Sequence, residues 1–137
     1  MSKKNWLVAV ILMFVVIVAV IEWKSEKNYE IKADGIEHIN VVESADTVKV
    51  TVSDDDMIHI SYYEGASYKY EITEENGVLK ITGDNRRAIN IDIQDSPLII
   101  KVPKDYGKYM EINTEKNASV NEAINFESIS INEDEDY

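Results

Sequence analysis

Hydrophobic residues are distributed along this chain in two ways, continuous at the start and alternating afterwards. Residues 6–21, opening on Trp6 and closing on Ile21, form an apolar run without charge or helix breaker. With Trp23 the run approaches the ~20 residues an α-helix needs to cross ~30 Å of hydrocarbon. It predicts a single transmembrane helix with Trp6 and Trp23 at the two interfaces, where an indole keeps its ring apolar and its N–H wet. A cleaved signal peptide is the competing reading, because Lys3 and Lys4 precede the run. Against it, the run exceeds the usual ~7–15 apolar residues, and no small-x-small cleavage site follows Ala19. Lys24, Lys27 and Lys32 match Lys3 and Lys4, so charge counting barely orients the segment. A signal-anchor with the domain outside is expected, since long domains translocate largely regardless of nearby charge.

From Tyr29 onward the pattern has a period of two, which is the pattern of strands with one face buried and one wet. Val48, Val50 and Val52 alternate with Lys49 and Thr51; Ile58, Ile60 and Tyr62 with His59 and Ser61; Tyr68, Tyr70 and Ile72 with Lys69 and Glu71. A hairpin must keep its apolar positions on one face, so the turn length follows from parity. A three-residue loop at Asp54, Asp55 and Asp56 sets Val50 against Ile60, and one at Glu64, Gly65 and Ala66 sets Tyr62 against Tyr68. Asn76-Gly77 predicts a type I′ turn, which needs φ > 0 at both central residues and places Ile72 opposite Ile81. Further strands are expected at 88–93, 98–102, 109–114 and 128–131. An aliphatic residue followed by Asn recurs at Ile112-Asn113, Val120-Asn121, Ile124-Asn125 and Ile131-Asn132. That recurrence fits stacked rungs with Asn at the corners as well as it fits chance in an Asn-rich chain.

Composition narrows the function. The formal net charge is −12 over 137 residues, which excludes binding nucleic acid or an anionic lipid surface through a general field. Cysteine is absent, which removes disulfides, thiolate metal sites, a cysteine nucleophile and a lipoprotein attachment point. Two Pro and five Gly, with abundant Ile, Val and Tyr, indicate a folded domain rather than a stalk.

Candidate chemistry is sparse. Asp54, Asp55 and Asp56 offer carboxylates to a hard cation but lack the Gly and downstream Glu of a calcium loop, and read as a solvated turn. His38 and His59 stand in alternating strands without a second His or Cys at ligand spacing. No catalytic, cofactor or metal site is therefore expected, and no enzyme. Arg86 and Arg87 are an adjacent basic pair that either balances local acid in a loop or holds an anionic group. Tyr63 is the tyrosine that the alternation of its hairpin turns outward, where a ring can stack on a sugar or a partner protein. Asn117-Ala118-Ser119 matches a glycosylation acceptor, which matters only in a eukaryotic secretory route.

Several segments stand out together: Ala33-Asp34-Gly35-Ile36 followed by Ile39-Asn40-Val41; Ala45-Asp46-Thr47-Val48-Lys49-Val50-Thr51-Val52 before an acidic turn; Tyr70-Glu71-Ile72; Gly77-Val78-Leu79-Lys80-Ile81; and Leu98-Ile99-Ile100-Lys101-Val102-Pro103-Lys104-Asp105-Tyr106. Together they resemble the bacterial putative-adhesin domain of unknown function, also called the toastrack domain. The resemblance covers most of residues 30–120. It implies a β-helix-like or sandwich-like stack, no catalytic residues, and a role at the envelope surface of the kind found in cell-envelope stress operons. Longer relatives continue with more turns of the stack.

The expected chain is all-β, with an N-terminal single transmembrane helix followed by a small antiparallel β-sandwich or short β-helix-like stack. Its expected parts are a cytoplasmic tail and anchor (1–23), a linker (24–28), the β domain (29–132) and an acidic tail (133–137). Its expected place is the cell membrane, with the domain extracytoplasmic. The expected partners are the bilayer and an envelope protein or cell-wall polymer. The function is non-catalytic binding in envelope stress or surface adhesion, or, as the alternative, binding of cell-wall carbohydrate or polyanion through Tyr63, Arg86 and Arg87. Glu133, Asp134, Glu135 and Asp136 are expected either to shield the edge strand before them by charge repulsion or to form a disordered tail that aids solubility.

Overall fold

The computed structural model describes residue 5 and residues 24–43, 46–65, 68–85 and 97–133. Among these the chain forms β1 (Lys24–Lys32), a 3-10 turn (Ala33–Gly35), β2 (His38–Glu43), β3 (Val48–Ser53), β4 (Met57–Gly65) and β5 (Tyr68–Glu75). Then follow β6 (Val78–Asn85), β7 (Leu98–Pro103), β8 (Tyr109–Thr114), β9 (Ala118–Val120) and β10 (Ser128–Glu133). They make two five-stranded sheets, which we term sheet A, in the order β1-β4-β7-β3-β9, and sheet B, in the order β10-β8-β2-β6-β5.

The centre of the molecule is a parallel stack. β2 lies between β6 and β8 in sheet B, β3 lies between β7 and β9 in sheet A, and all four pairings are parallel. Each passage from sheet B to sheet A, β2 to β3, β6 to β7 and β8 to β9, is thus one rung of a β-helix-like stack, and β10 begins another in parallel with β8. At the opposite end β4 and β5 run antiparallel to β7 and β6, and β1 adds antiparallel to β4. Of the two expected architectures the stack describes the centre, and the antiparallel pairing is confined to one end.

The alternation read in the sequence builds the core. Ile72, Ile81, Val41, Ile112 and Ile131 form one cross-strand row in sheet B. Tyr29, Ile60, Ile100, Val50 and Val120 form its counterpart in sheet A. Val41, Ile81, Ile100 and Ile112 are fully buried, and each such side chain stabilises the fold by about 1.5–3 kcal/mol.

Three expectations are corrected. Among the described residues no helix is long and apolar enough to cross a membrane, so the expected N-terminal transmembrane helix drops out of the fold class. The run bounded by Trp6 and Ile21, with Trp23, lies outside the described residues. What the sequence supplies there is apolarity rich in β-branched Val and Ile, and a continuous apolar run carries no period that fixes a helix. Second, β3 and β4 are not a hairpin, because β7 lies between them. Val50 and Ile60 do share a row, but each pairs with Ile100 rather than with the other. Third, β4 and β5 belong to different sheets, so Tyr62 and Tyr70 meet by packing, with ring centroids 4.9 Å apart, and not as neighbours in a hairpin.

The Asn76-Gly77 turn stands as expected, with φ of 53° and 79° and Ile72 opposite Ile81. Residues 24–28, expected as a linker, pair along the far half of β4. The expected strand at 88–93 lies outside the described residues.

Candidate functional site

Because Ile58 and Ile60 point into the core, the alternation along β4 turns His59, Ser61 and Tyr63 to the outer face of sheet A. The register sets Glu30 of β1 and Lys101 of β7 on either side of His59, and Asn28 and Ile99 on either side of Ser61. The Ser61 hydroxyl donates to Asn28 Oδ1 at 2.9 Å. A cleft of about 320 Å³ runs along this row, bounded by Glu30, Asp54, His59, Ser61 and Lys101.

His59 is its central residue. Nε2 lies 2.8 and 2.9 Å from the two oxygens of Asp55, and Nδ1 lies 3.3 Å from Glu30 Oε1. Only the imidazolium can donate from both nitrogens at once. The hydrogen bond to Asp55 accordingly raises the His59 pKa, against the opposing effect of desolvation and with help from Glu30. In return His59, then the Met57 N–H and the Ser53 hydroxyl, draw the Asp55 pKa down to about 2. Asp55 Oδ1 accepts from Ser53 Oγ at 2.8 Å and Met57 N at 2.9 Å, so the acidic turn is folded onto its own carboxylate. In its charged form His59 has no lone pair with which to take up a proton. The row offers a ligand charge and hydrogen bonds.

Of the residues singled out in the sequence, Tyr63 stands on this outer face, half-buried and paired with Glu26, in line with Ser61 and His59. Arg86 and Arg87 lie outside the described residues. His38 is on the outer face of sheet B, stacked on Tyr109, and shares no site with His59. Among the described residues no group of three or more His, Cys, Asp or Glu could hold a metal ion. Sequence reasoning passed over the Asp55, His59 and Glu30 cluster. The spacing of four between Asp55 and His59 was a usable signal, whereas Glu30 joins them only through the register of β1 on β4.

No protein-family model matches the sequence, and no curated protein matches it. Among solved structures, the fold is similar to that of a putative cell adhesion protein from Clostridium sporogenes ATCC 15579. The TM-score is 0.58 and the sequence identity 8%, over 80% of this chain and 57% of that one. The chain thus has a putative-adhesin-like fold and spans a little over half the length of that protein.

Proposed function

We propose that this chain is a non-catalytic binding domain that works on the outer side of the cytoplasmic membrane, in surface adhesion or as an accessory of the cell-envelope stress response. The observation that supports this reading is the likeness of its fold to the putative cell adhesion protein. The contact face is the outer row of β4, where Tyr63, Ser61 and His59 stand in line beside the cleft, and the partner is an envelope protein. Charge on that face is mixed rather than basic, which suits a protein surface better than a polyanion.

Two measurements test the reading. Protease added to intact protoplasts should digest the domain, and full protection would refute the extracytoplasmic placement. The full chain should also bind isolated envelopes saturably, and Tyr63→Ala should weaken that binding by about tenfold, the order of a lost aromatic anchor. Binding that survives Tyr63→Ala but is lost in Arg86→Ala/Arg87→Ala would favour capture of a cell-wall polyanion instead. Protein abundance that stays flat under cell-wall antibiotics would remove the stress setting and leave adhesion.

A further inference from the structure

We propose that the outer face of sheet B, on the opposite side of the molecule from the β4 row, is a platform for an uncharged linear carbohydrate, centred on the stacked rings of His38 and Tyr109. Among the described residues the large hydrophobic side chains left exposed are Val42, Val78, Tyr109, Ile129 and Ile131. Every one of them belongs to sheet B. Ile129 and Ile131 share the inward register of Met110 and Ile112, and are open because β10 is an edge strand. Val42, Val78 and Tyr109 alternate with the buried Val41, Leu79 and Met110, so the strand period itself turns them outward.

Val78, His38 and Tyr109 are register partners across β6, β2 and β8. The His38 and Tyr109 rings are stacked, with centroids 6.4 Å apart and planes at 26°, and Tyr109 is 46% exposed. The result is an aromatic and aliphatic row across three neighbouring strands. Two residues along each strand the row changes to Lys80, Asn40 and Glu111, also in register. Asn40 Oδ1 is shielded and has no hydrogen-bond partner. A strip of rings and methyl groups beside a strip of amide, carboxylate and ammonium matches a hexose, whose C–H face covers a ring and whose hydroxyl rim donates and accepts.

Charge and size select among occupants. A chain of net charge −12 repels uronate or phosphate polymers, so the sugar is uncharged. The same charge opposes a second copy. The face spans five strands at ~4.8 Å, roughly 24 Å across. An oligosaccharide lying across the strands needs no more than this face.

Titration of the full chain, labelled with nitrogen-15, with cellohexaose and with the N-acetylglucosamine hexamer at millimolar concentration tests the proposal by amide shifts. At least one sugar should give saturable shifts confined to sheet B and centred on His38, Asn40, Tyr109 and Glu111. Tyr109→Ala should weaken binding by about tenfold, with Tyr109→Phe close to the original. Tyr63→Ala should leave it unchanged, which separates this surface from the β4 row. Tyr109 is an exposed side chain, and unshifted core amides in the variant will show that it folds. Three results would overturn the proposal: no sheet B shifts with either sugar, binding indifferent to Tyr109→Ala, or concentration-dependent self-association that Tyr109→Ala abolishes, which would seat a second copy on the face.

Discussion

Gly77 holds the left-handed second position of its turn at φ 79°, and a Cβ there would lie 3.3 Å from Glu37 Cγ and 3.4 Å from the Gly35 carbonyl oxygen. Gly77→Ala should therefore cost about 1–2 kcal/mol through the left-handed backbone alone, read as a lower urea midpoint at unchanged slope. Gly35, where a Cβ meets nothing within 4 Å, provides the contrast; Gly35→Ala should stay within about 0.5 kcal/mol. His59 and Asp55 make a prediction of a different kind, because their pKa values move in opposite directions. The raised His59 value means that its contribution is complete below about pH 6.5 and lost as pH climbs through that raised value. Asp55, lowered from 3.8 to about 2, contributes fully above about pH 4 and loses its contribution as pH falls toward 2. The cluster should thus stabilise most between about pH 4 and 6.5. The difference in Tm between the native chain and His59→Gln should shrink from pH 6 to pH 9, and a pH-independent difference would show that His59 is not held as a cation.

Among the strands, β7 is the middle strand of sheet A, paired with β4 on one side and β3 on the other. Ile100 is fully buried between Ile60 and Val50, so Ile100→Ala should cost about 2–5 kcal/mol in chemical denaturation. This strand also shows where sequence reading stops. The alternation placed Val50 and Ile60 on one face and in one row, because side-chain parity is local. It could not show that a strand some 40 residues further on would enter between them, since a hairpin and a crossing with one strand inserted obey the same parity. The Asn76-Gly77 turn was legible because its chemistry lies in two residues. The recurring Ile-Asn pairs were legible in part: Ile112-Asn113 and Ile131-Asn132 lie in register on neighbouring parallel strands, with Asn132 Nδ2 donating to Asn113 Oδ1 at 3.0 Å. Asn121 instead closes a corner, its Oδ1 accepting from the Ala123 N–H at 2.9 Å. The outward direction of Tyr63 followed from alternation alone. The ion cluster around His59 did not, because Glu30 approaches through the pairing of an edge strand that carries no register signal in its own sequence.

For the molecule as a whole, the stack leaves β10 at an edge, with Ile129 and Ile131 about two-fifths exposed. Glu133 is already committed, its Oε1 accepting from the Ala118 N–H at 3.2 Å. The repulsive charge falls to Asp134, Glu135 and Asp136. Removing residues 134–137 should produce sedimenting dimers or larger species at low salt. The intact chain should follow the same trend as salt rises, since the Debye length falls from ~10 Å at 0.1 M to ~3 Å at 1 M. A shortened chain that stays monomeric throughout would show that the charges guard no edge. The placement of β7 has a consequence for biosynthesis. Its neighbours β3 and β4 are both complete by residue 65, yet the strand that joins them starts at residue 98. During translation two half-sheets must wait with open edges for one late strand, a non-local closure that slows folding. On a crowded polysome that strand can equally be supplied by the neighbouring nascent chain. Refolding from concentrated solution should therefore yield exchanged dimers in proportion to concentration, separable from the monomer by size exclusion and slow to revert, because reversal requires pulling a central strand from the sheet.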